Sequence, residues 1–340
     1  MKAALITCEG TPVANNVKFV DDWADISAEP NCVVVKTEAS ALNHLDLWVG
    51  EGMPGLGLTY PRVSGSDGCG IVSKVGDGVD SSWVGKRVLL NAAVTSDNNA
   101  NHASQEISMI GEHVDGTNAE YFSAPVSNVI DIGDVDPIDA AAFGLTHLTA
   151  WRMLTTCARV KANQTVLITG IGGGVALAAL NICKHFGCKT IVTSRHQQKL
   201  DRALELGASD CVLDEGEDWS RTIRSLTDKE GVDVCIDSVG GQLHHPIIKS
   251  LARGGTLVTC GCTAGGNPTT DLTRIFWNQL SVMGSTMGTM DEFADVTQLL
   301  RDGMKPVIDS VYDAADAPQA IARLESSEQF GKIVLRWKCD

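Results

Sequence analysis

The stretch ITGIGGGVALAALNICKHFG, residues 168–187, constrains the fold more than any other in the chain. An apolar run of β type ends in glycines, and Val175, Ala178, Ala179, Ile182 and Phe186 then fall on one face of a helix beginning after Gly174. Glycines at such a helix start leave backbone N–H groups and the positive dipole end open to a phosphate, with no Cβ atoms in the way. The plainer alternative is a loop whose glycines only let the helix pack on the strand. Context favours the phosphate, because buried strands recur at TIVTS (190–194), CVL (211–213), VDVCID (232–237) and GTLVTC (255–260), with helical stretches between them. That alternation implies right-handed βαβ units and an α/β, Rossmann-like doubly wound parallel sheet. Gly170, Gly172, Gly173, Gly174 and Val175 are the predicted dinucleotide cradle, with Ala176 where such a pattern usually has its last glycine.

The carboxyl ends of the neighbouring strands carry the remaining cofactor candidates. The second strand ends TSRHQQK, where Ser194, Arg195 and Lys199 offer a hydroxyl and two cations and no carboxylate competes. Such groups suit a ribose 2′-phosphate, so NADPH is expected over NADH; the alternative is a solvated basic helix start. Ser238 and Val239 end a later strand, and Cys260 and Gly261 the next.

Before about residue 125 the texture is different: short apolar alternations are broken by Gly, Pro, Asn and Asp, as in a small β-barrel. NAAVTSDNNANHASQ (91–105) reads as an exposed loop. At 340 residues the chain has room for two domains, and the last segment, ending FGKIVLRW, is expected to return to the first. Asp and Glu outnumber Lys and Arg by 42 to 27, which argues against nucleic acid and anionic membranes as partners. No apolar run reaches the roughly 18 residues of a membrane span, and MKAALITCEG is too short and polar for a secretion signal, so a cytoplasmic protein is expected. Its 11 cysteines include no CxxC and are read as reduced, mostly buried thiols.

With GSDGCGIVSKVGDGV (65–79) and the GIGGGVA loop, the chain resembles the medium-chain dehydrogenase/reductase superfamily over essentially its whole length. ASALNHLDLWVGEG, GEHVDGTNAEYF, LTAWRML and STMG look closest to its zinc-independent quinone oxidoreductase-like branch, which includes members described as zinc-type alcohol dehydrogenases. The resemblance implies a GroES-like β-barrel domain formed by residues 1–124 and 289–340, a Rossmann domain formed by residues 125–288, and a cofactor between them. At the positions matching the superfamily's catalytic zinc ligands stand Asn43, Ser66 followed by Asp67, and Leu145, and no cysteine remains in the lobe matching its structural zinc. Leu145 offers no donor atom, so no metal is expected; a rearranged set of His44, Asp67 and His113 is the alternative.

Without a Lewis acid to polarise a plain carbonyl, the feasible reaction is hydride transfer from NADPH to an already activated small-molecule substrate, a quinone or an enone. The resemblance puts Asn43 against the nicotinamide half of the cofactor or the substrate carbonyl, Asp46 as an orienting group, Thr149 near the nicotinamide ring and Lys332 at the pyrophosphate. His44 is a candidate proton donor. Met53 stands where many enone-reducing relatives have a tyrosine, and Gly50 where close relatives often have arginine. Two other readings stay open: an NADPH-binding redox sensor or structural protein with little turnover, and a zinc-type alcohol dehydrogenase. Relatives are often dimers or tetramers, so a homodimer or homotetramer is expected, with the SVMGSTMG strand as one edge.

Overall fold

In a computed structural model of the chain, residues 1–53, 55–96 and 102–338 are described. They form two compact units, one from residues 1–145 with 288–340 and one from residues 146–287.

The first unit is built on a largely antiparallel seven-stranded sheet. Its order is Val129–Asp131, Arg87–Leu90, Gly68–Val75, Cys32–Ala41, Lys332–Arg336 and Ile308–Asp313, with Tyr121–Pro125 also paired to Cys32–Ala41. Cys32–Ala41 is central because its Val-Val-Val run is buried and it pairs with three neighbours. Close strand approach explains two glycines of the 65–79 segment: a Cβ on Gly70 would overlap the Lys36 carbonyl, and one on Gly76 the Glu29 carbonyl. A smaller sheet orders Val17–Val20, Ala3–Ile6 and Arg62–Val63.

Two expectations change here. The first compact unit runs on to Leu145, past the expected boundary at 124/125, and Val129–Asp131 within that stretch pairs antiparallel with Arg87–Leu90. The 91–105 stretch is more than a loop: Ala93–Thr95 pairs with Ile107–Met109, and His102–Ser104 is a turn of 3₁₀-helix with His102 buried. Residues 97–101 of that stretch lie outside the described residues.

The second unit is a six-stranded, all-parallel sheet ordered Asp210–Leu213, Lys189–Ser194, Thr165–Ile168, Val232–Asp237, Leu251–Thr259 and Ser281–Gly284. In chain order this is 3-2-1-4-5-6, the doubly wound arrangement whose reversal beside the first strand leaves a crevice at the carboxyl ends. Its core joins Leu167, Ile191, Val212, Cys235, Ile247 and Leu257, among others, so the strands are apolar because both faces are covered. The α/β class and the Rossmann-like sheet are as the sequence implied. Among the described residues, no helix is long and apolar enough to cross a membrane.

Candidate functional site

In the second unit the strand Thr165–Ile168 leads through the glycines into the helix Gly174–His185, capped by Gly173. Gly170 and Gly172 have φ of +64° and +119°, a region that disfavours other residues. A Cβ on Gly170 would meet Val239 Cγ2, and one on Gly172 would sit 2.8 Å from Lys199 Cδ. The loop is therefore open to a ligand only because it is glycine, and the aliphatic stem of Lys199 lies against it. The Ile171 N–H donates to the Thr193 carbonyl (2.8 Å), tying the loop to the end of the second strand.

That strand, Lys189–Ser194, ends in buried Ser194, whose Oγ accepts the His196 N–H at 3.2 Å, followed by exposed Arg195. On the other side, Val232–Asp237 and Leu251–Thr259 end in register, Asp237 opposite Thr259, so Ser238, Val239, Cys260 and Gly261 emerge at the same sheet edge as the glycines. The structure thus sets the glycine-loop residues, Ser194, Arg195, Ser238, Val239, Cys260 and Gly261 at one sheet edge of the second unit, to which Thr149 also belongs, whereas Asn43 and Lys332 belong to the first unit. Burial pushes the Cys260 thiol up to about 12, which disfavours its thiolate form. Thr149 is buried in the helix Pro137–Arg152, and its hydroxyl faces Met287 Sδ at 3.9 Å.

Sequence reasoning missed Asp237. Its carboxylate accepts from the Thr169 hydroxyl (2.5 Å) and from the N–H groups of Val239 (3.2 Å) and Gly240 (3.0 Å), so one side chain shapes two of the loops at this edge. Burial pushes its carboxyl above the usual range, against those hydrogen bonds. The signal was an acid ending the otherwise apolar strand VDVCID.

In the first unit the candidates converge on a buried charge cluster. Asn43 caps the helix His44–Glu51, and its N–H donates to Asp46 Oδ2 at 2.8 Å, the backward half of a capping box. The Asn43 amide nitrogen donates to Asp67 Oδ2 (2.8 Å), and its amide oxygen accepts from Lys332 Nζ (2.6 Å). Lys332 Nζ also pairs with Asp67 Oδ2 at 2.9 Å, with side chains 4% and 0% exposed. Asp67 Oδ1 takes the Leu145 N–H at 2.6 Å. A β-pairing produces this convergence: Lys332–Arg336 runs antiparallel to Cys32–Ala41, Val334 opposite Ala41, and the Leu42 N–H donates to the Ile333 carbonyl.

Around the cluster, Asn118 donates to Asp46 Oδ1 (3.3 Å) and Ser64 Oγ (3.1 Å), and Trp337 Nε1 donates to Ser40 Oγ (3.0 Å). Burial raises the Asp46 carboxyl, opposed by the Asn43 N–H, the Ser64 hydroxyl and the Lys332 charge. Asp46 is thus buried and hydrogen-bonded within the first unit. His44 is exposed at the first helical position and packs edge-on against Trp48 at 5.0 Å; desolvation holds its imidazolium below the usual range. Gly50 cannot be an arginine here, since any Cβ would overlap the Val13 side chain.

These donors do not fit zinc. Asn43 and Asp67 already share an ammonium, Ser66 Oγ donates to the Ile110 carbonyl at 2.8 Å, and Leu145 has no ligand atom. The rearranged set is not assembled either: His113 Nδ1 accepts the Met109 N–H at 3.1 Å and sits 3.6 Å from Glu112. Among the described residues no group of three or more His, Cys, Asp or Glu is placed to hold a metal ion.

Known proteins share both halves of this architecture. Residues 29–134 match the alcohol dehydrogenase GroES-like domain, and residues 174–302 match the family described as zinc-binding dehydrogenase. The chain is 32% identical over 328 residues to the zinc-type alcohol dehydrogenase-like protein YogA of Leptosphaeria maculans, covering 90% of each. To the quinone oxidoreductase of Homo sapiens it is 26% identical over 330 residues, covering 94% of this chain and 93% of that one. A crystal structure of an NAD-dependent alcohol dehydrogenase superposes with a TM-score of 0.91 at 33% identity, covering 99% of each chain. A GroES-like domain, a 3-2-1-4-5-6 sheet with a glycine loop, and relatives matched along nine-tenths of the sequence lead to one assignment: the chain belongs to the medium-chain dehydrogenase/reductase superfamily of nicotinamide-dependent oxidoreductases.

Proposed function

We propose that this protein is an NADPH-dependent reductase that passes hydride to a quinone or an α,β-unsaturated carbonyl with no metal ion in the reaction. The observation that carries the reading is the Lys332 ammonium held between Asp67 and Asn43, at residues where metal-dependent relatives would need ligands. A zinc ion contributes several kcal/mol by polarising a carbonyl. An acceptor already made electron-poor by conjugation does not need that contribution. When bound, the cofactor supplies the hydride.

The chain's own residues hold and orient. Gly170, Gly172, Gly173, Gly174 and Val175 cradle the pyrophosphate, with Ser238, Val239, Cys260 and Gly261 along the same sheet edge. Ser194, Arg195 and Lys199 receive the 2′-phosphate, supported by the absence of a carboxylate at the end of Lys189–Ser194. Asn43 is fixed in one orientation by its two charged partners, and Asp46 fixes the turn that carries it. Two of the three Lys332 donors are taken, so a phosphate would have to use the third. His44, at the first position of the helix His44–Glu51, is the candidate proton donor.

The test follows NADPH and NADH oxidation with a panel of quinones, enones and aldehydes, alongside elemental analysis. NADPH oxidation with a quinone or enone by zinc-free protein is expected. NADPH binding without oxidation across the panel would favour the redox-sensor or structural reading. About one zinc per chain, removable with loss of alcohol oxidation, would overturn the proposal.

We also propose a homodimer or homotetramer joined through the sheet edge. Ser281–Gly284 is an edge strand exposed along its length, and beside it in sequence Leu272, Phe276 and Trp277 are 68%, 66% and 71% exposed. Bare edges and apolar patches of this kind are normally covered. Trp277→Asp combined with Val282→Lys is expected to give monomers in sedimentation velocity; unchanged assembly would place the interface elsewhere.

A further inference from the structure

We propose that Cys183 and Cys188 form an oxidant-responsive dithiol, in which a hydroperoxide oxidises Cys188 and Cys183 then closes an intramolecular disulfide. The sequence CKHFGC ends the helix Gly174–His185 in a Schellman motif. Gly187 is left-handed at φ +69°, its N–H donates to the Lys184 carbonyl (3.1 Å), and the Cys188 N–H donates to the Cys183 carbonyl (2.9 Å). In this motif the residues joined by the outer hydrogen bond frequently bring their side chains into contact. Here both are cysteines, so the outer hydrogen bond that joins Cys188 to Cys183 holds the two thiol-bearing residues next to each other.

The two thiols are unequal in the way such a pair needs. Cys183 is fully buried, whereas Cys188 is partly exposed and, when protonated, donates to the Lys161 carbonyl at 3.5 Å. The Cys183 S–H stabilises a Cys188 thiolate and lowers its pKa, against partial burial and the Asp233 charge. Thiolate character with solvent access marks the attacking sulfur, and a buried neighbour marks the resolving one. Cys183 lies nine residues, about 14 Å, along the helix from its start at Gly174, so the pair belongs to a different site.

In the first step the Cys188 thiolate attacks a peroxide oxygen; the O–O bond breaks, hydroxide or alkoxide leaves, and Cys188 becomes a sulfenic acid. The Cys183 sulfur then attacks that sulfur; the S–S bond forms, the S–O bond breaks, and water leaves carrying the Cys183 proton. Two electrons pass from the thiols to the hydroperoxide. Reduction is by exchange with an external dithiol.

The test treats the folded protein with hydrogen peroxide, alkylates it in denaturant and maps the peptides. Joint loss of alkylation at Cys183 and Cys188, a peptide bridging them and recovery with dithiothreitol are expected. Cys183→Ser should let dimedone trap Cys188 as sulfenic acid, and Cys188→Ser should leave Cys183 alkylated as before. Bridging several-fold slower in urea-unfolded protein is also expected. Cys188 unmodified or over-oxidised with Cys183 still a thiol, or bridging equally fast when unfolded, would overturn the proposal.

Discussion

Replacing Lys332 with methionine is expected to lower the stability of the protein by about 3–5 kcal/mol, read as a fall in the urea midpoint at unchanged slope. The methionine fills most of the lysine stem but leaves Asp67, which is fully buried, as a carboxylate without its ammonium. The Asn43 amide oxygen loses its donor in the same step. Asp67→Asn alone should also destabilise, because the buried Lys332 ammonium then loses the carboxylate that pairs with it. The double substitution should be less damaging than the sum of the two singles, since it removes the unpaired charge that dominates each. Strict additivity, or a loss below about 1 kcal/mol for Lys332→Met, would show that the pair is not the centre of this cluster. The same variants test the proposed chemistry. With Lys332 absent, Asn43 and Asp67 still cannot complete a zinc site with Ser66 and Leu145, so added zinc should not restore stability.

The glycine loop and the parallel sheet were legible because their signals are local. Gly170 to Gly174 sit between an apolar run and a helical face within 20 residues, and each further strand repeats the pattern. Lys332 was legible as a residue but not as a partner. The sequence suggested a lysine aimed at a pyrophosphate, while its hydrogen-bond partners Asn43 and Asp67 lie 289 and 265 positions away, joined to it by a strand pairing that no local pattern encodes. Asn43 and Asp46 stand out in the sequence as an N-x-x-D pair, and the structure places them as a helix cap and its third helical residue, neighbours in any sequence. Asp237 escaped notice because an acid ending a strand has many harmless uses, and only the register of three strands shows that it holds two loops at once. The cysteines at 183 and 188 were read as buried thiols, which suits Cys183; that a glycine-terminated helix end sets them side by side depends on the sign of one dihedral angle, at Gly187.

Ser194→Asp is expected to reverse the cofactor preference, with NADPH binding weakened about a hundredfold and NADH binding strengthened. The position can accept the change locally: Ser194 Oγ already takes the His196 N–H at 3.2 Å, and an aspartate carboxylate can take the same hydrogen bond in a turn of the same kind. One carboxylate oxygen then remains to accept from a ribose 2′-hydroxyl, the arrangement that favours NADH. A 2′-phosphate at that point would lose a hydroxyl donor and face a negative charge, and a hydrogen bond to a charged group is worth about 1.5–3 kcal/mol, or roughly ten- to a hundredfold in affinity. Arg195 and Lys199 would still attract the phosphate, so adding Arg195→Ala should deepen the loss for NADPH while leaving NADH nearly unchanged. Fluorescence titration of both reduced cofactors separates these effects from catalysis. Equal weakening of NADPH and NADH would mean that the substitution had disturbed the glycine loop through Thr193, whose carbonyl holds the Ile171 N–H, and that the end of this strand does not read the 2′ position at all.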